Sequence, residues 1–152
     1  MEKFPKSSYR IRFSDCDMFA HLNNARFLDY FLNAREDQLR DHYQFDLNVQ
    51  YKTGAGWVIG GHEIFYLRPA MMAESVVIQT ALFHSGPEHI LVEMQMMDEK
   101  ETHLKSLLWT RFVPVNLKTQ KKEMLLPIGA SRKSEQVQKR RRQFFFGASK
   151  IV

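Results

Sequence analysis

The chain has 152 residues, 44% hydrophobic and 26% charged, which suits one globular domain with a real core and excludes a wholly disordered chain. A net charge of +5 favours anionic partners, phosphate-bearing small molecules and nucleic acid alike, so charge alone does not choose between them. The single cysteine excludes an internal disulfide, and the opening residues hold no apolar run of signal-peptide length; a cytoplasmic protein with no membrane partner is expected.

In chain order, Tyr9, Ile11 and Phe13 alternate with Arg10, Arg12 and Ser14, which predicts a half-buried strand over 9–14. A loop rich in acids and amides follows at once, Asp15-Cys16-Asp17-Met18-Phe19-Ala20-His21-Leu22-Asn23-Asn24. From 24 to about 43 the apolar positions Phe27, Leu28, Phe31, Leu32, Leu39 and Tyr43 recur near helical spacing, with Asn23 as the natural N-cap. A helix of that length spans about 30 Å, enough to lie across a small sheet.

After Gly54-Ala55-Gly56 the pattern becomes strands over 57–67, 75–84, 89–98 and 104–115, broken by Pro69, Ser85-Gly86-Pro87 and Asp98-Glu99-Lys100-Glu101. Connections this short suit antiparallel hairpins or a meander. One helix on one face of a mostly antiparallel sheet, an α+β fold, is the economical architecture. The remainder differs in character. Lys118, Lys121 and Lys122 lead to a basic run over 131–143 that predicts a short helix, so 1–115 is read as the domain proper and 116–152 as its basic extension.

The run Asp17-x-x-x-His21-x-Asn23-Asn24-Ala25-x-Phe27 resembles the loop of the hotdog-fold acyl-CoA thioesterases, in particular the hydroxybenzoyl-CoA thioesterase family. Tyr66-Leu67-Arg68-Pro69-Ala70 is similar to the family's strand end after the central helix, and the resemblance covers roughly residues 8–115 by the order of the elements. It implies a sheet wrapped round one helix. It also implies a homodimer or homotetramer with the active site at the subunit interface.

The resemblance assigns Asp17 the catalytic carboxylate, either attacking the thioester carbonyl to give a mixed anhydride or activating water as a general base. It makes the main-chain N–H of Asn24, at the electropositive helix start, the donor that holds the oxyanion. His21 then orients the loop or meets the thioester end of the substrate, and Arg68 is a candidate for the coenzyme A phosphates, as are the tail's Lys and Arg residues. The implied reaction is hydrolysis of an acyl-CoA or acyl-carrier-protein thioester, with no cofactor beyond the coenzyme A of the substrate itself. One residue departs from the pattern: Ala20 precedes His21 where many relatives have glycine.

Each of these residues also has an ordinary reading. Aspartates in loops usually cap turns, asparagines at helix starts cap helices, and single histidines are more often structural. Phe27, Phe31 and Trp57 suit an acyl pocket and a core equally well. Cys16 stands between two acids, which disfavours its thiolate. His62-Glu63-Ile64-Phe65-Tyr66 begins like a zinc-protease helix but has tyrosine at the second histidine position and lies in a strand pattern, so no metal is expected.

Three competing functions follow from the same residues. A non-catalytic acyl-CoA binder would keep the fold without turnover. A nucleic-acid module led by the basic tail lacks the Gly-aromatic strand signature, so no nucleic-acid partner is expected. A hotdog dehydratase would want a histidine on the central helix, which has none before His42.

Overall fold

The computed structural model describes residues 4–123, so the basic run at 131–143 lies outside the described residues. Strand β1 (Lys6–Arg10) leads through two 3-10 turns, Phe13–Asp15 and Asn24–Arg26, into helix α1 (Phe27–Tyr43) and a short α2 (Leu47–Thr53). Five strands follow: β2 (Ala55–Tyr66), β3 (Ser75–Ser85), β4 (Ile90–Asp98), β5 (Leu104–Asn116) and the two-residue β6 (Lys121–Lys122). The sheet is antiparallel with the order β1-β3-β4-β5-β2, and β6 adds to the end of β5.

The expected β3-β4-β5 meander is present, but β2 pairs with β5 at the far edge instead of lying beside β3. Its connection to β3, residues 67–74, therefore has to cross the end of the sheet. Register shifts at Ile59/Gly61, Leu82/His84 and Met96/Met97 bend three strands, and the sheet curls round α1. On its inner face the row Thr80, Met94, Leu108 and Ile64 runs across β3, β4, β5 and β2. Met94, Leu108 and Ile64 share one apolar cluster with Phe27, Tyr30, Phe31 and Ala34 of the helix. Full burial of Phe31 alone is worth about 2–3 kcal/mol.

The strand predicted over 9–14 sits earlier. Its ladder with β3 ends at Arg10 opposite Ser75, where β3 itself begins; Ile11 N–H still reaches the Glu74 carbonyl at 2.9 Å, and only Arg12 N–H turns away, to the Tyr30 hydroxyl at 3.0 Å. Ile11 is buried as the alternation requires, whereas Phe13 is 82% exposed on a 3-10 turn. Helix α2 has no counterpart in the sequence pattern because it buries no side chain and so carries no apolar stripe. Asp46 caps its start by accepting from Asn48 N–H at 2.7 Å, and Gly54 ends it at φ +94°.

The β4–β5 turn is held by the Asp98 carboxylate, which accepts from Thr102 N–H at 2.7 Å, the Thr102 hydroxyl at 2.7 Å and His103 N–H at 2.9 Å. Those bonds, the Thr102 hydroxyl foremost, hold its pKa well below the usual carboxylate range. A depressed folded pKa gives stability that is present above the unfolded value and lost as pH falls toward the folded one. Asp98→Ala is therefore expected to lower the denaturation midpoint by a constant gap from pH 7 down to about pH 4, narrowing below. Denaturant melts across that range check it, and equal midpoints at pH 7 would count against the turn's role.

Candidate active site

The acidic loop is a small hairpin. Asp17 N–H donates to His21 O at 2.8 Å, Asn23 N–H donates to Asp15 O at 2.9 Å, and Cys16 lies opposite Leu22 between them. The connection from β2 to β3 zips along the outer leg of this hairpin, with Leu22 N–H on Ala70 O at 2.8 Å and Met72 N–H on Ala20 O at 2.9 Å. That connection is itself tied down. The Lys105 ammonium, almost fully buried, reaches Glu74 at 2.8 Å and the Pro69 carbonyl at 2.9 Å, while Glu74 accepts from Met71 N–H at 2.8 Å.

Within the loop the two oxygens of Asp17 differ. Oδ1 accepts from Phe19 N–H at 2.9 Å and His21 N–H at 3.2 Å, closing the turn, while Oδ2 has no hydrogen-bond partner among the described residues. The turn reading and the chemical reading of Asp17 are thus compatible: one oxygen fixes the loop and the other remains available at an exposed position. Ala20 adopts φ +57° to close this turn, a conformation a Cβ disfavours by about 1 kcal/mol. Ala20→Gly is expected to raise Tm by about 2–4 °C. Calorimetry checks it, and a fall of more than about 2 °C would show that the alanine side chain holds the loop.

Asn23 caps the helix start as expected, its Oδ1 accepting from Ala25 N–H at 3.0 Å. Its carbonyl accepts from Arg26 N–H at 2.8 Å. The Asn24 N–H between them has no acceptor among the described residues, and the helix dipole adds positive potential there. Asp17 therefore lies on one leg of the hairpin and Asn24 just past the end of the other, the first with an unengaged carboxylate oxygen and the second with an unengaged N–H.

His21 enters this arrangement through its main chain, and its ring packs beside Phe19 with centroids 6.4 Å apart. Arg68 is exposed at the end of β2 and donates from Nη1 to the Leu104 carbonyl at 2.9 Å; no contact joins it to Asp17 among the described residues. Asp15 is structural: its Oδ2 accepts from the Tyr30 hydroxyl at 2.8 Å. Cys16 donates weakly to the Arg12 carbonyl, and burial, then Asp15 and Asp17, push its thiol pKa up, away from a nucleophile's. Phe27 and Phe31 are core residues of α1. The sequence reading missed two tyrosines. Tyr30 lies on the same stripe as Phe27 and Phe31 and was findable there, while the Tyr66 hydroxyl on the Asn24 carbonyl, at 3.0 Å, leaves no trace in spacing.

A curled antiparallel sheet round one long helix, with a carboxylate loop at the helix start, defines a hotdog fold of the thioesterase type. Residues 11–139 match the thioesterase-like superfamily, and the chain belongs to that family. It is 28% identical over 117 residues to the long-chain acyl-CoA thioesterase FadM of Escherichia coli, an alignment covering 76% of this chain and 86% of FadM. The solved structure of YbaW, a probable thioesterase from Escherichia coli, superposes with a TM-score of 0.71 at 26% identity, covering 79% of this chain and 89% of that one. A 1,4-dihydroxy-2-naphthoyl-CoA thioesterase from Synechocystis shares the fold, with a TM-score of 0.74 at 15% identity over 81% of this chain and 90% of its own. Among the described residues no helix is long and apolar enough to cross a membrane.

Proposed function

We propose that this protein hydrolyses an acyl-CoA thioester to the free acid and coenzyme A. Asp17 acts through Oδ2, either on the carbonyl carbon or on a water, and the Asn24 N–H receives the developing negative charge on the carbonyl oxygen. His21 closes the loop, and Arg68 is the described residue offered to the phosphates of coenzyme A. The observation that carries this reading is the split of Asp17, one oxygen anchored twice by main-chain donors and one left unengaged. An anchored carboxylate is pre-aimed, so reaction requires little reordering of the nucleophile or base.

The acting species is proposed to be a homodimer or homotetramer. In support, Met18 and Phe19 beside Asp17 are 91% and 70% exposed, and Val58 and Ile59 on the edge strand β2 are exposed as well. Sedimentation tests this, and a monomer at working concentration would refute it. A coenzyme A release assay over short, medium, long and aromatic acyl-CoAs tests the reaction. Saturable binding without release would leave the protein a binder of the same fold. Incorporation of labelled oxygen into the Asp17 carboxylate in a single turnover marks the attack route, and its absence marks activated water.

A further inference from the structure

The Asn24 N–H can hold an oxyanion only if the two peptide units that flank its residue keep their orientation. Three bonds within the turn contribute: Asn23 N–H to Asp15 O, Arg26 N–H to Asn23 O and Ala25 N–H to Asn23 Oδ1. They fix the peptide whose N–H is Asn24's, and the donor side of the peptide that follows it. The acceptor side of that second peptide, the Asn24 carbonyl, takes part in the 3-10 turn and is met a second time from outside the helix, by the Tyr66 hydroxyl at 3.0 Å. The Tyr66 ring is set for this by an edge contact with Phe27, centroids 5.2 Å apart and planes at 76°.

We propose that Tyr66 is a positioning residue for the oxyanion donor, its hydroxyl locking the peptide between Asn24 and Ala25 and so the direction of the Asn24 N–H. This rests on the reading of that N–H as the donor to the thioester oxygen. The physical reason is that a preorganised donor stabilises developing charge without reorganising during reaction, and a misplacement on the order of 1 Å costs up to about 100-fold in rate. Tyr66 also sits where β2 ends and the 67–74 connection begins, so one side chain ties the sheet edge, the helix start and the crossing segment together. Burial raises its phenol pKa, which keeps the hydroxyl a donor across the neutral range. The role is distinct from that of a catalytic residue, because the hydroxyl is engaged with the backbone and acts on the reacting atoms through it.

The test compares Tyr66→Phe, which keeps the ring on Phe27 and removes only the hydroxyl, with Tyr66→Leu, which removes both. For Tyr66→Phe, kcat on an acyl-CoA that the wild type cleaves is expected to fall about 10-fold with KM within about twofold and Tm within about 2 °C. Exchange of the Ala25 amide with deuterium is expected to quicken about 10-fold in the same variant. Tyr66→Leu is expected to lower Tm as well. A Tyr66→Phe enzyme with kcat within about twofold of wild type, or one that loses only KM, overturns the proposal. Should the wild type release no coenzyme A, the hydrolase reading fails while the exchange measurement still decides the clamp, and unchanged Ala25 protection in Tyr66→Phe overturns it.

Discussion

Asp17→Asn is expected to slow coenzyme A release by about 1000-fold or more while leaving Tm within about 2 °C of the wild type. The amide is nearly the same shape as the carboxylate and retains one carbonyl oxygen, which can take the place of Oδ1 and accept from Phe19 N–H and His21 N–H as the aspartate does. The loop therefore stays closed. What is lost is the negative charge on the second oxygen, and with it both roles proposed for Asp17, nucleophile and general base. Asp17→Ala removes the loop's acceptor as well, so it should lose the same activity and also about 1 kcal/mol of stability, or a few degrees in Tm. The pair separates chemistry from scaffolding: a large rate loss common to both variants, with a stability loss in the alanine variant alone, is the expected pattern. An asparagine variant that keeps more than about a tenth of the wild-type rate would remove Asp17 from the reaction.

Much of this protein was readable from residue order, and the parts that were not share one physical cause. Strands β2 to β5 carry Val, Ile, Phe, Trp and Tyr between strong turn signals, so their ends fell within one or two residues of the expected positions. Helix α1 was legible from its apolar spacing and its Asn23 cap. The end of β1 was not, because it depends on where its partner β3 starts. Nor was the placement of β2 beside β5, which is a choice between distant pairings that local pattern leaves open. The site divides the same way. Asp17 and Asn24 were singled out by a local motif, whereas the division of labour between the Asp17 oxygens and the Tyr66 bond to Asn24 depend on hydrogen bonds that only the folded chain makes.

Gln38 is the clearest case, and replacing it by leucine is expected to cost about 2–3 kcal/mol, or about 5–10 °C in Tm. Helical spacing puts it on the buried stripe with Phe27, Phe31 and Ala34, yet a glutamine there reads as surface. It is fully buried because its amide is satisfied: Nε2 donates to the Ile78 carbonyl at 3.0 Å and to Ser7 Oγ at 3.2 Å, and Oε1 accepts from the Thr80 hydroxyl at 2.5 Å. Leucine fills nearly the same volume, so little of the loss comes from a cavity. It comes instead from the Thr80 hydroxyl, itself fully buried, which is left without its acceptor, and from the Ile78 carbonyl, which loses the Nε2 donor. Adding Thr80→Val removes that unsatisfied donor, giving up only the long 3.4 Å bond that Thr80 Oγ1 accepts from Arg35 Nη1, so the double variant should recover about 1 kcal/mol relative to Gln38→Leu. Denaturant melts of the two single variants and the double decide it, and costs that simply add would show that the two residues do not act as a pair. The network joins β1, β3 and the middle of α1, and the helix that it seats on the sheet is the one entered through the 3-10 turn that begins at Asn24.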